Sequence, residues 1–108
     1  MSKRAEQIIG SDIFLVLVSK SYLEEVRNKD REITEQISLA KEYDKPTFLI
    51  YMNLSEGEIK EADKLFKEHK VIKTLKTTTK YLKQEVNPFL KEMGEWCDQN
   101  LGKEKGIV

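Results

Sequence analysis

Two predominantly apolar runs, one near the start of the chain and one in its middle, predict the strands of a sheet. The first is Ile13–Val18 and the second is Thr47–Met52. A strand that is exposed on one face alternates apolar and polar residues, so an unbroken run predicts burial on both faces. Between the runs, Ile33, Ile37 and Ala40 recur at helical spacing. This order predicts a right-handed parallel βαβ unit.

The connection between the two strands combines a polar turn with one helix. We expect Ser19–Lys29 to be a polar connection that contains at most one helical turn. The helix follows over Asp30–Tyr43, with Asn28 or Asp30 as its cap, because either side chain accepts hydrogen bonds from free backbone N–H groups. Pro46 ends it, since the residue before a proline disfavours helical geometry.

The C-terminal half predicts a second helix and a third strand. Ser55 and Glu58 have the spacing of a capping box, which predicts a helix that runs to about Glu68. The next segment, Lys70–Lys76, alternates lysines with apolar residues. Lysines discourage pairing with another chain, so this segment is predicted to form an edge strand of the sheet.

A last helical stripe begins at Leu82 and contains a proline. Pro88 predicts either a kink or a new helix start with Asn87 as its cap. Gly102 is the predicted stop, and we expect 102–108 to be a flexible tail. At the other end of the chain, Lys3–Ile9 is predicted to form a short helix.

Composition narrows the class of protein. The chain has 108 residues, enough for one domain, with 39% hydrophobic and 35% charged residues. Lys+Arg and Asp+Glu both number 19, and this balance argues against binding to nucleic acid or to an anionic membrane. The apolar runs are too short to cross a bilayer, and no signal peptide is recognisable. A single cysteine, Cys97, cannot form an internal disulfide, which predicts a cytoplasmic protein.

Several of these residues together resemble the central part of a TIR (Toll/interleukin-1 receptor) domain. The residues that carry the resemblance, apart from the two strands, are Ser11, Asp12, Ser19, Tyr22, Arg31, Glu32, Ile33, Ala40, Lys45 and Pro46. The resemblance implies a three-layer, flavodoxin-like or TIR-like α/β fold. Its parallel sheet has about three strands, and helices cover both faces.

The chain departs from the family pattern in two places. The strand–helix–strand that opens a complete TIR domain and carries the BB loop has no counterpart, so residues 1–108 are expected to form one partial TIR-like domain. Many members also have an aromatic residue and a cysteine shortly before the glutamate, where this chain has Val26–Lys29.

The resemblance assigns chemistry to Glu32. In TIR domains that hydrolyse NAD, the matching glutamate assists cleavage of the bond between nicotinamide and ribose, with NAD as substrate rather than cofactor. A carboxylate can stabilise or attack the oxocarbenium-like ribose that remains. By the same resemblance, Ser19 and Tyr22 line the nucleotide cleft. The alternatives are structural, because an acid in a first helical turn is favoured by the helix dipole, and Ser19 and Tyr22 also suit a strand-ending turn.

Other reactive side chains are assigned structural roles. His69, the sole histidine, follows a helix end and is interpreted as a C-terminal cap or a surface residue. Cys97 shares a stripe with Trp96 and is interpreted as a packed thiol. The sequence contains no metal-ligand spacing and no glycine-rich phosphate loop.

Three hypotheses for function follow. The first is an NAD-processing TIR-like enzyme, and the second is a non-catalytic signalling or defence module that binds its own copy or another TIR-like domain. The third is a nucleoside deoxyribosyltransferase-like enzyme, which shares the topology and a carboxylate. The second draws support from the Ile13–Val18 strand, whose usual neighbour has no counterpart and which carries no lysine, proline or bulge signal. We expect this edge to pair, either antiparallel with its own copy or with a partner's strand.

Overall fold

The computed structural model describes residues 12–102. The predicted helix Lys3–Ile9 and residues 103–108 of the predicted tail lie outside this range. The elements in chain order are β1 (Phe14–Val18), α1 (Lys20–Arg27), α2 (Arg31–Glu42), β2 (Thr47–Met52), α3 (Glu56–Leu65), β3 (Val71–Thr77) and α4 (Leu82–Cys97), followed by one π-helical turn, Asp98–Gly102. None of the helices in this range is long and apolar enough to cross a bilayer.

The strands form one parallel sheet in the order β1-β2-β3. Phe14 pairs with Thr47 at one end of the β1–β2 ladder, and Val18 pairs with Tyr51 at the other. The predicted α/β fold, with its parallel strands in sequence order and Thr47–Met52 in the centre, is confirmed. It is a small flavodoxin-like arrangement in which α1, α2 and α3 pack on one face and α4 packs on the other.

The central strand β2 is buried on both faces, as its apolar run predicts. On one face Leu49 and Tyr51 join a core formed with the first three helices. On the other face Phe48 contacts two aromatic rings of α4 edge to face, with centroid distances of 6.2 Å to Phe89 and 5.7 Å to Trp96. The two cores therefore share β2 as their common wall.

Burial of β1 on both faces, which the unbroken run predicts, is wrong. Phe14, Val16 and Val18 are buried, whereas Leu15 and Leu17 are 43% and 47% exposed. The reason is position in the sheet. Because β1 is an edge strand in the described part of the chain, α4 covers the second face of β2 but leaves the two leucines accessible.

The segment after β1 is more regular than its polar sequence suggests. It forms the helix α1, eight residues long, where a single helical turn was predicted. The Ser19 hydroxyl accepts a hydrogen bond from the Tyr22 N–H at 3.2 Å and so acts as its N-cap. Of the two caps proposed for α2, Asp30 is confirmed, because its Oδ1 accepts from the Ile33 N–H at 3.0 Å.

The later helices differ from the prediction at their ends. The capping box of Ser55 and Glu58 is confirmed, but α3 ends at Leu65, one turn before Glu68. α4 continues through Pro88 without a new start, so capping by Asn87 is wrong. A proline inside a helix removes one backbone hydrogen bond. The apolar face that α4 packs on the sheet offsets this loss, and the proline itself lies on the exposed side.

The β3 edge carries the lysines from which the sequence predicts an edge strand, and in addition a bulge that was not predicted. Its pairing with β2 shifts by one residue between Thr47 and Phe48, so that Ile72 is an extra, bulged residue. Lys73 and Lys76 lie beyond the bulge on the same strand. A bulge and charged side chains both hinder pairing with a further strand. The sheet thus has one guarded edge, β3, and one apolar edge, β1.

Candidate functional site at the carboxyl edge of the sheet

Polar residues follow all three strands of the sheet where the strands end. β1 leads into Ser19, β2 into Asn53, and β3 ends at Thr77. In open parallel sheets, ligands bind beyond the carboxyl ends of the strands. This edge of the sheet is therefore the candidate site, and its side chains decide what it can bind.

Ser19 is the N-cap of α1 at this edge. Its side-chain oxygen accepts from the Tyr22 backbone, and its carbonyl oxygen accepts from the Leu23 N–H at 3.1 Å. The hydroxyl still has a hydrogen to donate, because a cap uses it only as an acceptor. A role in nucleotide binding, which the resemblance implies, remains a prediction.

Tyr22 is turned largely inward. Its ring packs against the core formed by β1 and the first three helices, and its hydroxyl is buried without a hydrogen bond to the described residues. Burial, together with the nearby charge of Glu25, raises the pKa of this phenol well above its usual range. Tyr22 therefore stays neutral at physiological pH and can act on a ligand only through hydrogen bonding or stacking. Binding of a nucleotide by Tyr22 stays a prediction.

Glu32 lies exposed in the first turn of α2. Because α2 delivers the chain to the start of β2, it runs back toward the amino ends of the strands, and its first turn lies toward the carboxyl edge. A solvent-accessible carboxylate there can meet a positive charge that develops on a ligand. Its catalytic role stays a prediction.

A clasp between two loops shapes the β2–β3 side of this edge. Asn53 adopts a left-handed backbone conformation, with φ of 57°. Its side-chain amide donates to Thr79 Oγ1 at 2.6 Å, while its Oδ1 accepts from the Thr79 N–H at 3.0 Å. The Asn53 N–H also donates to the Thr77 carbonyl at 3.0 Å. Asparagine tolerates this conformation better than most residues, so one residue both turns the chain and fastens it.

Two more hydrogen bonds tie helices to the same edge. The Thr77 hydroxyl is buried and donates to Glu85 Oε1 of α4 at 2.7 Å. On the opposite face of the sheet, the Tyr51 hydroxyl donates to Asp63 Oδ1 of α3 at 2.9 Å. Burial, followed by this bond to Asp63, raises the pKa of Tyr51 above its usual range. The strand ends are thereby held rigidly against α3 and α4.

A shallow cavity lies between these strand ends and α3. It has a volume of about 200 Å³ and is lined by Tyr51, Leu54, Ile59, Lys76, Thr77 and Thr78. Ligand pockets for molecules of nucleotide size usually enclose about 300–1,000 Å³. Its volume and its single charged residue suit a small group better than a dinucleotide. The three predicted residues, Ser19, Tyr22 and Glu32, do not line it.

The sequence analysis missed this cavity and its clasp. It assigned no role to Thr77–Thr79, whereas each of these residues makes a hydrogen bond or lines the cavity at this edge. The available signal was Asn53, a residue that favours left-handed turns, placed directly after an apolar strand. Its partner, 26 residues later, could be identified only once the strand register was known.

The interpretation of His69 as a surface residue or helix cap is wrong. Its ring is buried, and Nε2 lies 2.9 Å from the carbonyl oxygen of Ile37 in α2. Because a carbonyl can only accept, Nε2 must carry the proton. The ring also contacts Phe66 edge to face at a centroid distance of 5.2 Å. His69 thus connects the segment just before β3 to α2. It lies near the amino end of β3 and not at the carboxyl edge of the sheet.

No family model, curated protein or solved structure matches this chain. Between residues 12 and 102, no group of three or more His, Cys, Asp or Glu side chains is arranged to hold a metal ion. The resemblance to TIR domains therefore stays a prediction that rests on the residues of the sequence.

Proposed function

We propose that this chain is a TIR-like signalling or defence domain that acts by association with its own copy or with another TIR-like domain. The parallel sheet with β2 in the centre suits this family. So does the course of the chain from Ser19 through Glu32 to Pro46, on which the resemblance rests.

The observation that carries the proposal is the exposed apolar side of β1. Leu15 and Leu17 project from the same face of an edge strand, and both are nearly half exposed. Adjacent apolar side chains on an unpaired edge favour pairing with another strand. The opposite edge, β3, has lysines and a bulge instead. Association through β1 would remove the leucines from water without disturbing the rest of the sheet.

Replacing Leu17 by lysine is expected to abolish association and to leave the melting temperature nearly unchanged. The side chain is already accessible, so the change costs little in the folded monomer but places a charge in the contact. Light scattering over a dilution series measures the mass. Leu90→Lys, at an exposed leucine of α4, is the matched control and should associate like the wild type. A wild-type chain that is monomeric at every concentration would contradict self-association.

A second function, NAD hydrolysis, is favoured by the position of Glu32. Glu32 is exposed in the first turn of α2, the end of that helix nearer the edge where parallel sheets bind ligands. In the reaction, the bond between ribose C1′ and the nicotinamide nitrogen breaks, and its electron pair leaves with neutral nicotinamide. Glu32 would stabilise the positive charge left on the ribose, and water would add to C1′ and release a proton.

If the chain hydrolyses NAD, Glu32→Gln is expected to abolish nicotinamide release without lowering the melting temperature. The substitution keeps the shape of the side chain and removes the charge that the transition state uses. Free nicotinamide is measured after incubation with NAD, with Glu42→Gln at the far end of α2 as the control. The same protein incubated with a deoxynucleoside and a second free base tests the deoxyribosyltransferase alternative. If the wild type releases no nicotinamide even at high protein concentration, NAD hydrolysis by this chain is excluded, and association is the one proposed function that remains.

A further inference from the structure

The backbone of β1 offers hydrogen-bonding groups on its outer side. Within residues 12–102, β1 pairs with β2 alone. The Phe14 N–H points toward β2, since it donates to the Pro46 carbonyl at 2.9 Å. Peptide groups along a strand alternate in direction, so those of Val16 and Val18 also face β2, whereas those of Leu15 and Leu17 face outward. The outward groups therefore belong to the same two residues whose side chains are exposed.

This alternation requires that the outward groups of one copy lie opposite the outward groups of the other, which limits the registers in which two copies of the strand can pair. We propose that β1 binds β1 of a second copy, antiparallel, about a two-fold axis at Val16. In this register Leu15 lies opposite Leu17 of the second copy, and the reverse pair follows by symmetry. Each such pair exchanges both backbone hydrogen bonds, and its leucine side chains meet on the same face of the joined sheet. The inference rests on the proposed self-association and specifies its geometry.

The overlap of the two strands favours the same register. With the axis at Val16, all five residues of each β1 lie opposite β1 of the other copy. Moving the axis to Leu15 or to Leu17 leaves two residues of each strand opposite positions outside β1, where the chain bends at Asp12 or enters α1 at Lys20. The zero net charge of the chain means that two copies do not repel one another at long range.

The occupant of this edge is therefore a second copy rather than an unrelated strand. The five-residue strand is complementary to itself in hydrogen bonding and in its leucine contacts. An isologous contact of this kind uses one surface twice and closes on itself.

Cysteine cross-linking tests the register in a Cys97→Ser background. Opposed residues in a hydrogen-bonded antiparallel pair have Cα atoms about 5.5 Å apart, which a disulfide can span. A mixture of Leu15→Cys and Leu17→Cys chains should therefore cross-link on oxidation far more completely than either variant alone. A dimer that cross-links equally in all three samples would overturn this register while leaving self-association standing. A monomer at every concentration would overturn both.

Discussion

Replacing Phe48 by alanine is expected to lower the free energy of unfolding by about 3–5 kcal/mol. Phe48 is buried in the central strand, where it contacts Phe89 and Trp96 edge to face. Truncation removes both aromatic contacts and opens a cavity between the sheet and α4, which the rigid neighbours can fill only in part. The loss is a large fraction of the total stability of a small domain.

Urea unfolding followed by Trp96 fluorescence measures this loss. The measurement belongs in the Leu17→Lys background, because association would add a stability that depends on concentration. Tyr81→Ala, which truncates an exposed aromatic residue, is the control and should cost much less. An equal loss in the two variants would contradict a core centred on Phe48.

Replacing His69 by alanine is expected to cost about 2–4 kcal/mol. The Nε2 proton makes a second hydrogen bond to the Ile37 carbonyl, which lies within α2, and the ring packs against Phe66. Alanine removes this hydrogen bond between distant segments and leaves a gap in place of the ring. A residue that merely capped a helix at the surface would cost far less, since such contacts contribute about 1 kcal/mol or below.

The same urea titration measures the effect, with Lys70→Ala at the exposed neighbouring position as the control. His69→Gln provides a second variant, because its amide can still donate to a carbonyl. Gln should recover part of the stability lost with alanine. If His69→Ala were as stable as the control, the buried link to Ile37 would be excluded.

The parts of the fold that depend on local chemistry were predictable from the sequence. β2 has apolar residues on both faces because it is covered on both faces, and its run alone indicated a central strand. The capping box of Ser55 and Glu58 specified the start of α3, because both of its hydrogen bonds join residues three positions apart. Asp30 likewise marks the start of α2.

The errors arose where distant parts of the chain decide the outcome. Leu15 and Leu17 resemble core residues in the sequence. They are exposed because α4 packs over β2 and does not cover β1 on that face. Pro88 usually interrupts a helix, but packing of α4 on the sheet overrides that local preference. His69 has no partner near it in sequence, because its acceptor lies 32 residues away.

The candidate site divides in the same way. Glu32 was identified from a short local motif, and the structure gives it an exposed first-turn position without testing its chemistry. The clasp of Asn53 and Thr79 depends on the register between β2 and β3, which one extra residue at the bulge shifts. No local pattern encodes that shift, so the sequence alone could not bring the two residues together.

The guarded β3 edge sets a limit on stoichiometry. If two copies join through β1, the resulting sheet exposes only β3 strands at its two ends, each with Lys73, Lys76 and the bulge at Ile72. Neither end is a template for a further copy, so growth stops at the dimer and does not continue into a fibre. Removing both lysines would be the most direct way to convert a finite assembly into an open-ended polymer.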